Sequence, residues 1–284
     1  MNANLSIVEE PSAGDEVSAF PVSRIEGDAR RFVHVIRSPR FRGSAICLDL
    51  MPGEFCPFDS CPDALAKTEP EVMVPFDFDS MRREVEMQIA GWRVDDCNAQ
   101  SRPMVVIDGI NRWVEPAILA DAVIGVVHLR ALGASSYFRI IVAANASLID
   151  DREVRSALAL LTVEDEVRVR LDARCVNEPA GAAVGGRRPG PVLPGVHSLG
   201  RIRPVTIQGE FSRIRGMEPS KDHIEALVTC LLELKSGGAK IPLIQICSMT
   251  RTMICRECGH LPLASLARIA RHIRDGTGLT TEVC

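Results

Sequence analysis

The chain has 284 residues, 46% of them hydrophobic and 25% charged, enough for a sizeable buried core and too apolar for a disordered chain. A formal net charge of −4 excludes a global basic field for nucleic acid, and 4% aromatics with one tyrosine, Tyr137, disfavour a surface that stacks unpaired bases. No apolar run approaches the roughly 18 residues of a membrane span. Residues 1–14 carry Glu9 and Glu10 and no basic residue, unlike a secretory signal. The expectation is a cytoplasmic protein without a membrane partner, whose ten cysteines are thiols or metal ligands rather than disulfides.

Residues 1–30 read as an acidic, flexible arm, with Glu9, Glu10, Asp15, Glu16, Glu26 and Asp28 against Arg24 and Arg30 and no helical period. Residues 31–284 read as the folded unit. Short β-branched runs at 32–36, 44–50, 104–107, 138–143, 166–171, 204–208 and 240–247 predict strands. Helical spacing predicts a helix capped by Asp79 or Ser80 with Met81, Val85, Ile89 and Trp92 on one stripe. Further helices are expected at 116–132 and 151–161, after the cap Ser220 as far as Gly237 and Gly238, and through Leu263, Leu266, Ile269, Ala270 and Ile273. The last should keep Arg268, Arg271 and Arg274 on its wet side. The Gly/Pro-rich span 179–200 reads as a long loop. Alternating strands and helices predict an α/β fold with a parallel sheet built from right-handed crossovers. About six units are too few for a closed eight-stranded barrel, so the expected architecture is a partial (β/α)6 TIM-like barrel with parallel strands.

In such folds the loops after the strand tips build the site. The loop after 44–50 runs Met51-Pro-Gly-Glu-Phe-Cys56-Pro-Phe-Asp-Ser60-Cys61-Pro-Asp63, with two cysteines placed as metal ligands would be. Ordinary buried thiols are the alternative.

This loop resembles that of the radical SAM superfamily, in particular the wyosine-synthase-like Fe–S oxidoreductases, where a strand is followed by an Asn-Pro-Gly-type turn and a Cys-x3-Cys-x2-Cys loop. The likeness continues in order along 40–284. Ile107-Asp-Gly109 with Glu115-Pro116 resembles the family's Gly-Glu-Pro loop, stretched by residues 110–114. Ala144-Asn145-Ala-Ser-Leu, Val169-Arg-Leu-Asp172-Ala and Val205-Thr-Ile-Gln208 resemble its later strand ends. Ile241-Pro-Leu-Ile-Gln245-Ile-Cys247-Ser-Met-Thr-Arg251 is similar to its Val-Gln-Ile-Tyr-Ser/Thr-x-x-Arg segment, and Leu279-Thr-Thr-Glu-Val to its tail. The resemblance implies a [4Fe-4S] cluster on three thiolates, whose open iron binds S-adenosylmethionine for reductive cleavage to a 5′-deoxyadenosyl radical. It implies that Gly109, Glu115, Asn145, Gln208 and Arg251 line the S-adenosylmethionine pocket. Because the named relatives modify tRNA, it also implies a small-molecule or RNA substrate.

The cysteine triad is degraded. Cys56 matches the first position, but Ser60 stands at the second and Asp63 at the third. Hydroxyl and carboxylate are hard donors and poor substitutes for thiolate on an iron–sulfur cluster. A slip of one residue could recruit Cys61, with Asp63, the upstream Cys47 or a partner group supplying a third ligand. Two further readings stand beside a weakened radical enzyme. One is a pseudoenzyme that keeps the barrel as a binding scaffold. The other is a small zinc-binding regulatory protein, suggested by Cys255-Arg-Glu-Cys258-Gly-His260, half of a zinc-knuckle pattern. His34, His128, His223 and His272 read as packing or surface groups. Arg187, Arg188, Arg201, Arg203, Arg213 and Arg215 make mid-chain locally basic, either a solvated face or a seat for an anionic substrate.

Overall fold

The computed structural model describes residues 32–41, 43–51, 77–92, 102–110, 114–133, 137–171, 193–248 and 258–284. The expected arm at 1–30, and with it the division of the chain at residue 30, lies outside them. In chain order the strands are β1 (Val33–Ser38), β2 (Gly43–Asp49), β3 (Met104–Gly109), β4 (Arg139–Asn145), β5 (Glu166–Leu171), β6 (Thr206–Phe211), β7 (Arg213–Ile214), β8 (Ile244–Ser248), β9 (Cys258–Gly259) and β10 (Thr281–Val283). The helices are α1 (Phe78–Ala90), α2 (Pro116–Ala131), α3 (Ala146–Ile149), α4 (Arg152–Leu158), α5 (Leu193–Ile202), α6 (Lys221–Ser236) and α7 (Leu263–Thr277). A 3-10 turn, Pro39–Phe41, joins β1 to β2.

The fold is α/β around a mostly parallel sheet of eight strands, ordered β1-β2-β3-β4-β5-β6-β8-β10. Only β1 runs antiparallel, against β2; the other pairings are parallel. The sheet is open, with β1 and β10 at its edges. β7 and β9 form a separate antiparallel pair.

All seven expected strands occur, some with shifted bounds. β6 begins at Thr206 rather than 204 and β8 at Ile244 rather than 240, because Pro204 and Pro242 have no N–H to give a ladder. β10 was not among the expected strands; it is three residues long and adds to β8. α1 is capped by Asp77 rather than Asp79 or Ser80: the Asp77 carboxylate accepts the Asp79 amide and the Ser80 hydroxyl, so both expected caps are its clients. Ser220 caps α6 as expected, accepting the His223 amide.

Alternation along the strands sorts their side chains onto two faces. Ile46 and Leu48, Val105 and Ile107, Ile140 and Val142, Val167 and Val169, Ile207, Ile244 and Ile246 all belong to one buried apolar cluster. Every described helix adds to that same cluster, among others through Met81 and Val85 of α1, Val123 and Val126 of α2, Leu231 of α6 and Ile269 and Ile273 of α7. The described helices therefore cover one face of the sheet. No described helix is long and apolar enough to cross a membrane.

Residues 193–202 are helical where a loop was expected over 179–200; residues 179–192 lie outside the described set. Gly195 and Gly200 hide this helix in the sequence because glycine is a poor helix former. Their positions show why glycine is there. A Cβ on Gly195 would collide with the Asp150 carboxylate and lie 2.8 Å from the Asp150 amide nitrogen, while one on Gly200 would lie 2.7 Å from Ala239 Cβ. The His197 ring, 2.6 Å from the Gly237 carbonyl, ties the same helix to the end of α6. Gly195→Ala should therefore cost about 1–3 kcal/mol by overpacking, although alanine favours an isolated helix by roughly 1 kcal/mol. A urea melt that shows the variant more stable than the parent would mean that α5 does not pack on α3.

Candidate functional site

The sheet face opposite the described helices is apolar at β2–β4, where Ala45, Val106 and Ile141 form a second buried cluster with Ile36, Phe41 and Met104, and polar at the strand tips and from β5 to β10. By alternation it carries Asp49, Asp108, Asn145, Glu166, Arg168, Arg170, Thr206, Gln208, Glu210, Gln245, Cys247 and Glu282. One ladder row runs Asn145, Arg170, Gln208, Gln245, Glu282 across five strands. Such a face would ordinarily be solvated. Here Arg170 and Gln208 are each only 2% exposed. Part of the cover is the turn Pro39–Phe41. Arg40 enters from it, Nη1 donating to Glu210 Oε1 at 2.7 Å and Nη2 to the Ser248 carbonyl at 2.9 Å. Arg168 donates to the Arg40 carbonyl at 2.8 Å, and its guanidinium stands 5.0 Å from the centre of the Phe41 ring.

Buried charge persists here because it is paired. Arg170 Nη1 lies 3.7 Å from Glu210 Oε2, so Glu210 sits between two guanidiniums. Gln208 donates its amide to Gln245 at 2.9 Å, and Gln245 passes its own to Glu282 at 2.9 Å. Lower on the face, Glu166 accepts from Arg168, Arg139 and Thr206. Burial pushes the Glu166 carboxyl up, but Arg168 first, then Thr206 and Arg139, outweigh it and hold the carboxyl below its usual range. Burial likewise opposes charge on Arg40, and the groups around it, Cys247, the Glu210 carboxylate and Cys284, more than offset that and raise its pKa.

At the strand tips, Asp49 accepts the Met51 amide at 3.1 Å and its register neighbour Asp108 accepts that of Ile110 at 3.2 Å. These short carboxylate-to-amide turns release the chain at the ends of adjacent strands. Asn145 does the same at the end of β4, accepting the Ser147 amide as the cap of α3. The cysteine loop therefore departs from β2 beside the end of β3. Cys56, Ser60, Cys61 and Asp63 themselves lie outside the described residues, as do Arg251 and Cys255.

The remaining expected site residues are spread out. Asn145 and Gln208 share the polar row, with Arg170 between them. Gly109 faces the helices instead: a Cβ there would lie 2.9 Å from Leu119 Cδ1 and 3.3 Å from the Ala143 carbonyl. Packing alone thus accounts for this glycine. Glu115 is exposed at the start of α2, where its side chain makes no cap bond. Cys258 is buried in β9. Cys47 lies inside β2, in register with His34 and Val106, two residues short of the strand tip. Cys247 and Cys284 meet, Sγ to Sγ 3.2 Å. Among the described residues no group of three or more His, Cys, Asp or Glu is placed to hold a metal ion.

No family model and no curated protein matches this chain. The chemistry of the donors then carries the argument. In the loop one matching thiolate, Cys56, stands with a hydroxyl and a carboxylate, a donor set that does not fit a three-thiolate iron–sulfur cluster. The polar row offers amides, carboxylates and guanidiniums, which recognise charged polar ligands by hydrogen bonds and ion pairs.

The sequence reading missed Arg40, Arg168, Arg170, Glu210 and Glu282. A signal existed: Glu166-Val-Arg168-Val-Arg170 and Gln208-Gly-Glu210 put polar or charged groups at every second place of strands that are otherwise apolar. Of the basic residues at mid-chain, Arg203 caps the turn after α4, donating to the carbonyls of Leu158, Thr162 and Asp165. Arg213 pairs with Glu218 at 3.6 Å. His272 meets Glu225 at 2.8 Å on the surface between α7 and α6.

Proposed function

We propose that the chain is a divergent member of the radical SAM superfamily: a partial (β/α)6 TIM-like barrel kept as a binding scaffold after its cluster nest lost two sulfur donors. One observation carries the reading. From β2 to β10 the parallel strands follow one another in strict chain order with every described helix on one face. A doubly wound sheet reverses its strand order and has helices on both faces, whereas the staves of a barrel are wound singly. The reach of Arg40 supports curling as well, since the turn beside the β1–β2 edge touches β6 and β8. The loop with Cys56, Cys61 and Asp63 follows the first parallel strand, as the resemblance requires.

On this reading the scaffold binds a polar, charged small molecule at the strand tips, above the buried row of Asn145, Arg170 and Gln208. Neither the cluster nor S-adenosylmethionine cleavage is assigned to the wild-type chain, because its loop donors do not fit a cluster.

Anaerobic reconstitution with iron and sulfide tests this. The wild-type chain should stay nearly colourless, while Ser60→Cys with Asp63→Cys should turn brown and hold about four irons per chain. A wild-type chain that fills with cluster and releases 5′-deoxyadenosine from S-adenosylmethionine would overturn the loss of chemistry. A double variant that takes up no cluster would overturn the descent of the loop. A wild-type chain purified with about one zinc, lost on changing Cys255 and Cys258 to serine, would favour the zinc-binding reading instead.

A further inference from the structure

The contact between Cys247 and Cys284 is independent of the cysteine loop. Register pairs Val283 with Ile246, and the Cys284 amide donates to the Ile246 carbonyl at 3.1 Å, so the two cysteines sit side by side on adjacent parallel strands. Alternation directs both to the polar face, next to Glu282 and Gln245. Neighbouring strands lie about 4.8 Å apart, within the Cα separations of about 4.4–6.8 Å that a disulfide spans. The sulfurs are 3.2 Å apart and need to approach by only about 1.2 Å more to bond. Cys247 is fully buried and Cys284 half-buried, so an oxidant in solution meets Cys284 first.

We propose that Cys247 and Cys284 form a peroxide-responsive dithiol site, in which Cys284 is the attacking sulfur and Cys247 the resolving one. The groups around the pair favour that division of labour. The Cys247 thiol as hydrogen-bond donor, and then the Arg40 guanidinium, hold the Cys284 pKa below the usual thiol range, against burial and Glu282. The same hydrogen bond and burial push Cys247 up, with Glu210 adding to this and Arg40 opposing it. Cys230, buried in α6, is a built-in contrast: burial and Glu233 push its thiol up to about 12, and it should stay unreactive.

The steps balance. The Cys284 thiolate attacks one oxygen of a hydroperoxide; an S–O bond forms, the O–O bond breaks, and the leaving hydroxide takes a proton to become water. Cys284 is now a sulfenic acid. The Cys247 sulfur, giving up its proton, attacks the Cys284 sulfur; the S–S bond forms, the S–O bond breaks, and a second water leaves. Two thiols and one hydrogen peroxide become one disulfide and two waters. The bond staples the edge strand β10 to β8 beside Arg40, and a dithiol reductant reverses it.

The sequence allows a direct readout. Trypsin cutting at Lys240, Arg251 and Arg274 puts Cys247 in peptide 241–251, with no other cysteine, and Cys284 in the separate peptide that begins at Asp275. The full chain is treated with hydrogen peroxide, remaining thiols are alkylated, and the digest is mapped without reductant. The expected product is the two peptides joined, lighter by two hydrogens than their sum, and separated again by dithiothreitol. In Cys247→Ser, Cys284 should instead be trapped by dimedone as a sulfenic acid; in Cys284→Ser, Cys247 should stay a thiol. The wild-type map decides the pairing even if a variant fails to fold. Recovery of both peptides separately, at peroxide doses that oxidise other cysteines, would overturn the site. Dimedone on Cys247 in Cys284→Ser, with none on Cys284 in Cys247→Ser, would overturn the assigned roles.

Discussion

Asp165→Ala should be among the most damaging single substitutions in this chain, costing about 3–5 kcal/mol, or roughly 10 °C in melting temperature at this size. The Asp165 side chain is fully buried and lies just before β5. Its Oδ1 accepts from Arg130 Nη1 at 2.6 Å and from the Ile140 amide at 3.0 Å. Its Oδ2 accepts from Arg130 Nη2 at 2.8 Å and from the Thr162 amide and hydroxyl at 2.7 and 2.9 Å. One carboxylate thus joins the end of α2, the start of β4 and the turn after α4. Truncation leaves the buried Ile140 amide, the Thr162 amide and a guanidinium that is 7% exposed without their acceptor. Asp165→Asn should be intermediate, since its amide nitrogen can accept none of these bonds.

The same group sets a pH dependence. Burial pushes the Asp165 carboxyl up, but Arg130, Ile140 and Thr162 outweigh it and hold it below the carboxylate range. A carboxyl with a depressed folded pKa contributes stability that is complete above its unfolded value of about 3.9 and is lost as pH falls through the folded value. Urea melts from pH 7 down to pH 3 should show the gap between parent and Asp165→Asn narrowing below about pH 4. A gap that does not change with pH would mean that the carboxylate charge contributes nothing.

The fold was legible where local chemistry and packing agree. The apolar run 138–143 found a strand because both side-chain directions are largely buried there, and 166–171 because Val167, Val169 and Leu171 recur at every second place. Ser220 found a helix start because a cap acts locally, and Pro116 because its fixed φ suits the first helical position. α5 was illegible because contacts with Asp150 and Ala239, distant in sequence, require the glycines that mask its helical period. β10 was too short to show a period and exists because β8 offers it a ladder. For the candidate site, the resemblance named Asn145 and Gln208, which share a row, but also Gly109, which packing explains. The charges that fill the row escaped notice because alternating charge in a strand ordinarily means water on that side. That Arg40, far away in sequence, neutralises Glu210 is a property of the folded sheet and of no local segment.

Glu210→Ala is the second large effect. Glu210 is 8% exposed and faces Arg40 at 2.7 Å and Arg170 at 3.7 Å, the latter side chain 1% exposed. Its removal leaves two buried cations close together, so the loss should be at least that of breaking a single buried pair, about 3–5 kcal/mol. Arg40→Ala should cost less, because Glu210 then still faces Arg170. The double variant Arg40→Ala with Glu210→Ala should be more stable than the sum of the two single losses predicts, by about 0.5–3 kcal/mol. Equilibrium urea melts of the four proteins measure this directly. Strict additivity would mean that the turn Pro39–Phe41 does not lie over β6. Glu210→Gln separates charge from shape: it keeps the volume and the hydrogen-bond acceptor but not the charge, and it should recover only a minor part of the loss. Full recovery would show that Arg40 needs a polar partner there rather than an anion, and the polar row would then have to be read as a hydrogen-bonded seam instead of an ion-paired one.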